Sequence, residues 1–141
     1  MAKVLEGPGM GLMKKWGIVV PNHVVVSSAE EFDRLVQANV WLQTSKLVAK
    51  AHEALGSRFK LGLVKVGLDL AGAKAAVREM LGRQVGSITV SQVIVSEMVP
   101  HKEEFYAAVK STREGVEVLL ANCGGIEVES NWDRVKKLQG D

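Results

Sequence analysis

The segment between two apolar runs of this sequence carries the side chains with the clearest potential for chemistry. Lys50 ends the first run, and Arg58 and Lys60 lie in the segment that follows it, beside Gly56 and Ser57. Lysine and arginine offer several N–H donors to phosphate oxygens, and a loop containing glycine can turn its backbone N–H groups toward the same anion. The pattern therefore predicts a cradle for a polyphosphate.

This loop does not have the pattern of a P-loop. A P-loop reads GxxxxGK[ST] and leads from a strand into a helix. The residues that follow Gly56 read SRFKLGLV and lead into a second apolar run with the character of a strand. A nucleotide bound at this loop would therefore require a different fold.

The elements that must position these residues form an irregular series along the chain. Apolar periodicity and end signals predict helices over residues 10–16, from Ser28 to Val40, and over 69–81 and 133–138. β-Branched and alternating patterns predict strands over residues 23–26, 46–51, 62–66, 88–95, 104–112 and 116–121. This order predicts an α+β fold with a mostly antiparallel sheet that helices cover on one face.

The composition excludes several classes of function. The 141 residues include 18 basic and 16 acidic side chains, and the net charge of +2 is too balanced for a dedicated nucleic-acid-binding protein. No apolar run is long enough for a membrane-spanning helix, and the N-terminus lacks the apolar centre of a secretory signal. Cys123 is the only cysteine and cannot form an internal disulfide, which favours a reducing, cytoplasmic setting.

Several segments, in order along nearly the whole chain, resemble one enzyme family. Residues 14–21, KKWGIVVP, resemble the start of the ATP-grasp acyl-CoA synthetases, and residues 50–62 resemble their strand lysine and basic loop. The segments EMVPHKEEFY, TREG and GGIEV, at residues 97–106, 112–115 and 124–128, resemble ATP-citrate lyase in particular. The β subunit of succinyl-CoA synthetase and citryl-CoA synthetase are related to that enzyme.

The resemblance implies the architecture of the chain. ATP-grasp enzymes hold ATP between two α+β lobes, so ATP-grasp-type lobes are expected here. Residues 1–141 would form the N-terminal portion of an ATP-grasp domain, and the rest of that domain and a C-terminal domain would be absent from the chain. The likeness is to the type of ATP-citrate lyase in which this part is a separate, smaller subunit, and the chain alone is expected to be inactive.

The resemblance also implies which residues contact the phosphates and the adenine of ATP. Lys50 and Arg58 would be the phosphate and adenine-side cations, and Phe59 would lend a backbone contact in the loop. Many relatives have glycine where this chain has Phe59, so the backbone there would approach the phosphates less closely.

The remaining implied contacts lie further along the chain. Glu97 and Val99 would present backbone groups to the adenine edge, and Glu104 would hold the ribose hydroxyls. Cys123 stands where succinyl-CoA synthetases usually have glutamate before the paired glycines. No residue of this chain is implied to be catalytic or to bind a metal ion, because the magnesium ligands of the family lie further downstream.

The resemblance implies ATP and Mg²⁺ as cofactors and a larger subunit as the partner. ATP would phosphorylate a histidine of that subunit, the phosphate would pass to citrate, and CoA would capture the citryl phosphate. The larger subunit, which also carries the CoA and lyase domains, would then release acetyl-CoA and oxaloacetate, as in the reductive tricarboxylic acid cycle. No nucleic acid or membrane partner is implied.

Other interpretations remain open from the residues themselves. Lys50 has the position of a strand-end lysine that extends to solvent, and Glu104 that of an exposed strand residue. The chain is therefore also compatible with a succinyl-CoA or citryl-CoA synthetase subunit, with a non-catalytic nucleotide-binding module, or with a domain that serves assembly alone. Binding of ATP and a comparison of citrate with succinate separate these possibilities.

Overall fold

The computed structural model describes residues 3–125 and 128–140. The chain divides into two compact units, Met1–Val99 and Pro100–Asp141. The segment 124–128, which resembles ATP-citrate lyase, includes residues 126 and 127, and these lie outside the described residues. None of the described helices is long and apolar enough to cross a membrane.

The first unit contains four helices and six strands among its described residues. The helices are α1 (Glu6–Lys15), α2 (Ala29–Ala38), α3 (Trp41–Thr44) and α4 (Leu70–Met80). The strands are β1 (His23–Val26), β2 (Leu47–Ala51), β3 (Val64–Leu68), β4 (Gln84–Val85), β5 (Ile88–Thr89) and β6 (Val93–Glu97).

The main sheet of the first unit has the strand order β1–β6–β2–β3, and its neighbouring strands are antiparallel. The register places Lys50 beside Ile94, and Ile94 beside Val25. Residues that lie opposite each other on adjacent strands share a face of the sheet. This row therefore lies on one face, and the predicted α+β fold with a mostly antiparallel sheet is confirmed.

Alternation along β2 separates its buried residues from its lysine. Leu47, Ala49 and Ala51 are buried, and Val48 and Lys50 are half-buried between them. The buried face packs against α2 and α4, which contribute Phe32, Val36, Ala73, Ala76, Val77 and Met80 to the core. Because successive strand residues point to opposite faces, Lys50 lies on the face away from α2 and α4.

Local sequence signals explain where these two helices begin. The Ser28 hydroxyl accepts a hydrogen bond from the Glu31 N–H at 3.1 Å, and the Asp69 carboxylate accepts one from the Gly72 N–H at 2.7 Å. Each bond satisfies one N–H that the first turn of a helix leaves without an intrahelical partner. The predicted start of α2 after Ser28 is therefore confirmed.

Helix α1 contacts the opposite face of the sheet. The Gly7 N–H donates to His52 Nε2 at 3.0 Å, and a Cβ added at Gly7 would lie 2.8 Å from Val25 Cγ2. Because Val25 shares a face with Lys50, α1 lies on the face away from α2 and α4. The predicted helix over residues 10–16 is present but begins earlier, at Glu6.

The second unit contains a three-stranded antiparallel sheet. Its strands are β7 (Tyr106–Thr112), β8 (Gly115–Ala121) and β9 (Lys136–Gly140), with β8 in the centre. A 3-10 helix, Glu129–Arg134, precedes β9, and the rings of Trp132 and Tyr106 meet edge to face with centroids 6.1 Å apart. The predicted pair of strands 104–112 and 116–121 is confirmed as the hairpin β7–β8.

The predicted helix over residues 133–138 is wrong. The second half of this segment belongs to β9, in which Leu138 lies opposite Val118 and Lys136 opposite Leu120. The spacing of Val135 and Leu138 fits one helical turn. As a strand, however, the segment pairs with the edge of β8 that β7 leaves open, and this pairing satisfies backbone N–H and C=O groups of β8. A tertiary partner therefore overrides the local pattern.

The predicted strand over residues 88–95 is also wrong, because the chain forms two separate strands there. The Gly82 N–H donates to Val90 O at 2.8 Å, and the Val90 N–H donates to Arg83 O at 2.9 Å. These bonds hold Val90 at the end of α4, between the short hairpin β4–β5 and the central strand β6. The apolar run is nearly continuous in sequence, but its first residues pair with β4 and its last residues pair with β1 and β2.

Three smaller differences concern the ends of elements. Strand β3 begins at Val64 rather than at residue 62, because Gly62 has a φ of +67°, outside the extended region. Helix α2 ends at Ala38, so Val40 does not extend its apolar stripe and is exposed. The short helix α3, which follows Val40, has no counterpart in the sequence prediction.

Candidate functional site

Lys50 and Arg58 converge on the face of the sheet that α1 contacts. Lys50 is fixed by its place in β2, and Arg58 lies in the loop between β2 and β3. Arg58 Nη1 donates to Ala51 O at 2.9 Å, which ties the guanidinium to the end of β2. The predicted pair of cations is therefore brought together in the described structure.

Glu6, the first residue of α1, joins the two cations. Its Oε1 atom accepts from Lys50 Nζ at 2.6 Å, and its Oε2 atom accepts from Arg58 Nη2 at 3.1 Å. Each of the three side chains is about a quarter exposed, at 22–27%. One carboxylate therefore receives a donor from each cation in a partly desolvated setting.

The electrostatics of this triad keep Glu6 ionised. Burial raises the pKa of Glu6, but the Lys50 hydrogen bond and the charges of Lys50 and Arg58 outweigh burial and hold that pKa below its usual value. Glu6 is not among the site residues that the sequence predicts. Its position as an acid in the first turn of a helix is an ordinary helix-start signal, and nothing local points to residues 44 and 52 positions away.

A cavity of about 270 Å³ lies beside the triad in the first unit. Its polar lining includes Glu6, Arg58, His52 and Glu53, and the residues before α1 close another side. His52 is buried and accepts from the Gly7 N–H, and its Nδ1 atom lies 3.2 Å from Gln92 Oε1. The imidazole therefore fastens α1 to the sheet.

Glu53 lines the same cavity but is held away from the cations. One of its carboxylate oxygens accepts from both the N–H and the hydroxyl of Ser91 at 2.7 Å. Burial raises the pKa of Glu53, but the hydrogen bonds from Ser91 and from the Gln92 backbone, together with the nearby His52, outweigh burial and lower that pKa. Glu53 is therefore an ionised acid that serves the local loop structure.

The rest of the basic loop is more open. Ser57 adopts a left-handed φ of +54°, which is uncommon for a residue other than glycine. The Phe59 carbonyl accepts from the Gly62 N–H at 3.1 Å and closes the turn, while the Phe59 side chain is exposed. Lys60 is also exposed. Of the three cations predicted for this site, Lys50 and Arg58 therefore lie together, and Lys60 lies at the surface.

Glu97 and Val99 lie at the exit of the central strand β6. The Glu97 N–H donates to Asn22 O at 2.8 Å, and its carboxylate accepts from Asn22 Nδ2 and Ser45 Oγ at 3.0 and 2.8 Å. Val99 follows shortly after and has an exposed side chain. These bonds connect β6 with the segments before β1 and β2, so the strand exit is firmly placed.

Glu104 belongs to the second unit, where two glycines make room for it. Its Oε1 atom lies 2.8 Å from His101 Nε2. A Cβ added at Gly124 would lie 2.8 Å from Glu104 Cβ, and one at Gly125 would overlap Glu104 Oε2. A wall of Asn122, Cys123 and Arg134 completes a cavity of about 390 Å³ beside this carboxylate.

Comparison with known proteins identifies the family. The sequence model of the ATP-grasp domain matches residues 3–136. This chain belongs to the ATP-grasp family. The resemblance of the sequence to this family is therefore confirmed, and the α+β architecture is the fold of that family.

Relatives of this ATP-grasp chain include ATP-citrate lyases. The ATP-citrate synthase subunit alpha chain protein 1 of Oryza sativa subsp. japonica is 40% identical over 117 residues, which are 80% of this chain and 29% of the rice protein. The structure of ATP citrate lyase from Methanothrix soehngenii, in complex with citrate and coenzyme A, is 32% identical with a TM-score of 0.71. The match covers 85% of this chain and 28% of the archaeal one.

A third similarity concerns the fold alone. The dinucleotide-forming acetyl-coenzyme A synthetase 1 of Ca. Korarchaeum cryptofilum, solved with coenzyme A, Ca-AMPCP and HgCl+, has a TM-score of 0.77 at 23% identity. The match covers 96% of this chain and 59% of that one. This ATP-grasp chain spans less than a third of the length of the rice relative, and it is homologous to a portion of ATP-citrate lyase.

Proposed function

We propose that this chain binds ATP and directs its γ-phosphate as the ATP-binding portion of ATP-citrate lyase. The observation that carries the proposal is the convergence of Lys50 and Arg58 on the two oxygens of a single carboxylate. Two cations that already share one anion are suited to two oxygens of a phosphate group. Family membership and relatives named ATP-citrate synthase support the same conclusion.

The phosphate contacts belong to Lys50 and Arg58. Phosphoryl transfer needs alignment of the reacting groups and neutralisation of charge more than covalent help from the protein. Lys50 is fixed by strand β2, and Arg58 is tied to the end of that strand through Ala51 O. Phe59 contributes a backbone contact to the phosphates, and the bulk of its side chain at the turn limits how closely the loop approaches them.

The base and sugar contacts are assigned to residues further along the chain. Because the Glu97 N–H donates to Asn22 O, the carbonyl oxygen of Glu97 is the backbone group that we assign to the adenine edge, together with the backbone of Val99. In the second unit, Glu104 is assigned to the ribose hydroxyls. A carboxylate can accept from both hydroxyls of a ribose, and the His101 contact fixes its direction.

The complete reaction requires residues beyond this chain. We assign the phosphorylated histidine and the domains that handle CoA and cleave citryl-CoA to a larger partner subunit, so the active enzyme would be a cytoplasmic hetero-oligomer. Citrate and CoA are the substrates, as the rice relative's name and the ligands of the Methanothrix enzyme suggest. The products would be acetyl-CoA, oxaloacetate, ADP and phosphate.

Magnesium accompanies ATP in this chemistry, where it neutralises charge on the phosphates. No group of three or more His, Cys, Asp or Glu side chains within residues 3–125 and 128–140 could hold a metal ion. We assign the magnesium ligands to residues downstream of this chain, as the family resemblance implies.

The direct test is calorimetric titration of the chain with ATP. Lys50→Ala should weaken ATP binding at least about tenfold, because a hydrogen bond between charged groups contributes about 1.5–3 kcal/mol. Lys65→Ala is the matched control, since Lys65 is also a strand lysine paired with a glutamate, Glu79. Lys65 lies opposite Ala49, on the other face of the sheet.

The control should bind ATP as the parent chain does. Equal ATP affinities of Lys50→Ala and the parent chain would remove Lys50 from the site. Absence of ATP binding by the parent chain would instead support a domain that serves assembly alone.

A further inference from the structure

Glu6 has the geometry of a residue that organises the two cations. Its two carboxylate oxygens each receive one donor, from Lys50 Nζ at 2.6 Å and from Arg58 Nη2 at 3.1 Å. A lysine ammonium has three N–H donors and a guanidinium has five. Glu6 and Ala51 O use only part of that capacity, so the cations can contact a phosphate while Glu6 stays in place.

The position of Glu6 is itself fixed by the fold. The next residue, Gly7, donates its N–H to His52, and a side chain there would crowd the sheet because a Cβ would lie 2.8 Å from Val25 Cγ2. His52 is buried and is held in turn by Gln92. The backbone of Glu6 is therefore fixed on the sheet, and its side chain reaches the cations from a defined point.

Two opposing effects follow from a carboxylate at this place. Glu6 lowers the charge of the cluster from +2 to +1, which weakens the attraction for phosphate. It also holds two long, flexible side chains in one arrangement, so less rotamer freedom is lost when a phosphate binds. Because the three side chains are still about a quarter exposed, solvent screens part of the charge effect. The ordering effect should therefore dominate.

We propose that Glu6 is a positioning residue for the phosphate site, which holds Lys50 and Arg58 in the arrangement that receives the phosphates of ATP. The inference rests on the proposed function of Lys50 and Arg58. Glu6 itself does not contact ATP, and its contribution passes through the two cations.

The test measures the dissociation constant for ATP in the full 141-residue chain. Glu6→Gln should weaken ATP binding about tenfold, because two long side chains would then lose their rotamer freedom on binding instead of before it. Glu79→Gln is the matched control, because it removes a glutamate that pairs with a strand lysine, Lys65, elsewhere in the same unit. The control should leave ATP affinity unchanged.

A double-mutant cycle separates positioning from a general structural role. In a Lys50→Met background, Glu6→Gln should weaken ATP binding much less than in the parent chain, because one of its two partners is gone. The same tenfold loss in both backgrounds would assign Glu6 a structural role and overturn the proposal. Tighter ATP binding by Glu6→Gln would show that the carboxylate competes with phosphate, and would overturn it as well.

Glu6→Asp keeps the proposal testable if Glu6→Gln does not fold. Aspartate retains the charge at the start of α1 but is one methylene shorter, so it cannot reach both cations from the same backbone position. We expect the ATP affinity of Glu6→Asp to lie between that of the parent chain and that of Glu6→Gln. An ATP affinity equal to that of the parent chain would overturn the proposal. Unchanged affinity in Glu6→Gln, with a loss in Lys50→Ala, would overturn the role of Glu6 alone and leave the proposed function intact.

Discussion

At the scale of single residues, the surroundings of an acid determine its task. Glu6 and Glu53 line one cavity, and both carboxyls have a pKa below the usual value. Glu53 accepts from Ser91 and orders a loop, whereas Glu6 accepts from two cations. Residue type alone does not distinguish these roles, because both are glutamates with ionised side chains.

Glu104 depends on the glycines beside it. Gly125 has a φ of +61°, and a Cβ there would overlap the Glu104 carboxylate. A larger residue at this position would meet both backbone strain and a side-chain clash. The paired glycines therefore define the space that the carboxylate occupies.

We predict that Gly125→Ala destabilises the chain more than Gly86→Ala does. Gly86 has a nearly identical φ of +60°, but a Cβ there meets nothing within 4 Å. Gly86→Ala should therefore cost only the left-handed strain, about 1–2 kcal/mol, and Gly125→Ala should cost this strain plus the clash. Denaturant unfolding measures both, and hydrogen exchange in β7 and β8 should rise for Gly125→Ala alone. Equal losses would show that the Glu104 carboxylate can leave its place at no cost.

At the scale of elements, the first turn of α1 links the helix to the site. Gly7 is the buried residue of this helix, and Gly9 and Gly11 lie on it with open space around them. A helix with three glycines is intrinsically weak, so contact with the sheet must supply much of its stability. The same contact places Glu6 beside the cations.

We predict opposite effects for alanine at these glycines. Gly7→Ala should lower the free energy of unfolding by about 1–3 kcal/mol, the usual range for overpacking, because the Cβ meets Val25 and His52. Gly9→Ala and Gly11→Ala are the matched controls and should each stabilise the helix by about 0.5–1 kcal/mol. Denaturant unfolding and circular dichroism measure the three changes.

The affinity for ATP extends this comparison. Gly7→Ala should weaken ATP binding through the displacement of Glu6, whereas the two controls should not. If all three variants gained stability, the tight contact between α1 and the sheet would not exist in solution.

At the scale of the whole molecule, each unit contributes different predicted contacts. Lys50, Arg58, Phe59, Glu97 and Val99 belong to the first unit, and Glu104 belongs to the second. The chain corresponds to 29% of its rice relative, so most of that protein has no counterpart here. We therefore expect binding of ATP and completion of the reaction to be separable properties.

We predict that the chain binds ATP but does not form acetyl-CoA. A mixture of the chain with ATP, Mg²⁺, citrate and CoA should yield no acetyl-CoA, and only an enzyme that also contains the rest of the ATP-grasp domain and the larger partner subunit should form it. Succinate in place of citrate is the control for the related synthetases and should give no succinyl-CoA. Acetyl-CoA formed by the chain alone would contradict the assignment of the remaining chemistry to the partner.

Much of the fold could be predicted because its signals are local. Ser28 and Asp69 begin their helices with hydrogen bonds to residues three positions ahead, and the turn between β7 and β8 lies within one short segment. The strand predicted over residues 46–51 is present as β2, with Lys50 near its end. Such features depend on a few neighbouring residues, so the sequence displays them directly.

The sequence by itself determined the starts of α2 and α4, the hairpin, and the placement of Lys50 near a strand end with Arg58 in the loop that follows. Only the tertiary structure decided that Glu6 joins these cations and that residues 136–140 pair with β8. It also decided that Val90 hydrogen-bonds to the segment after α4 and does not belong to β6. The physical reason is distance along the chain. Glu6 and Lys50 lie 44 positions apart, and backbone groups take whichever partner the packed chain offers, so no local pattern records these contacts.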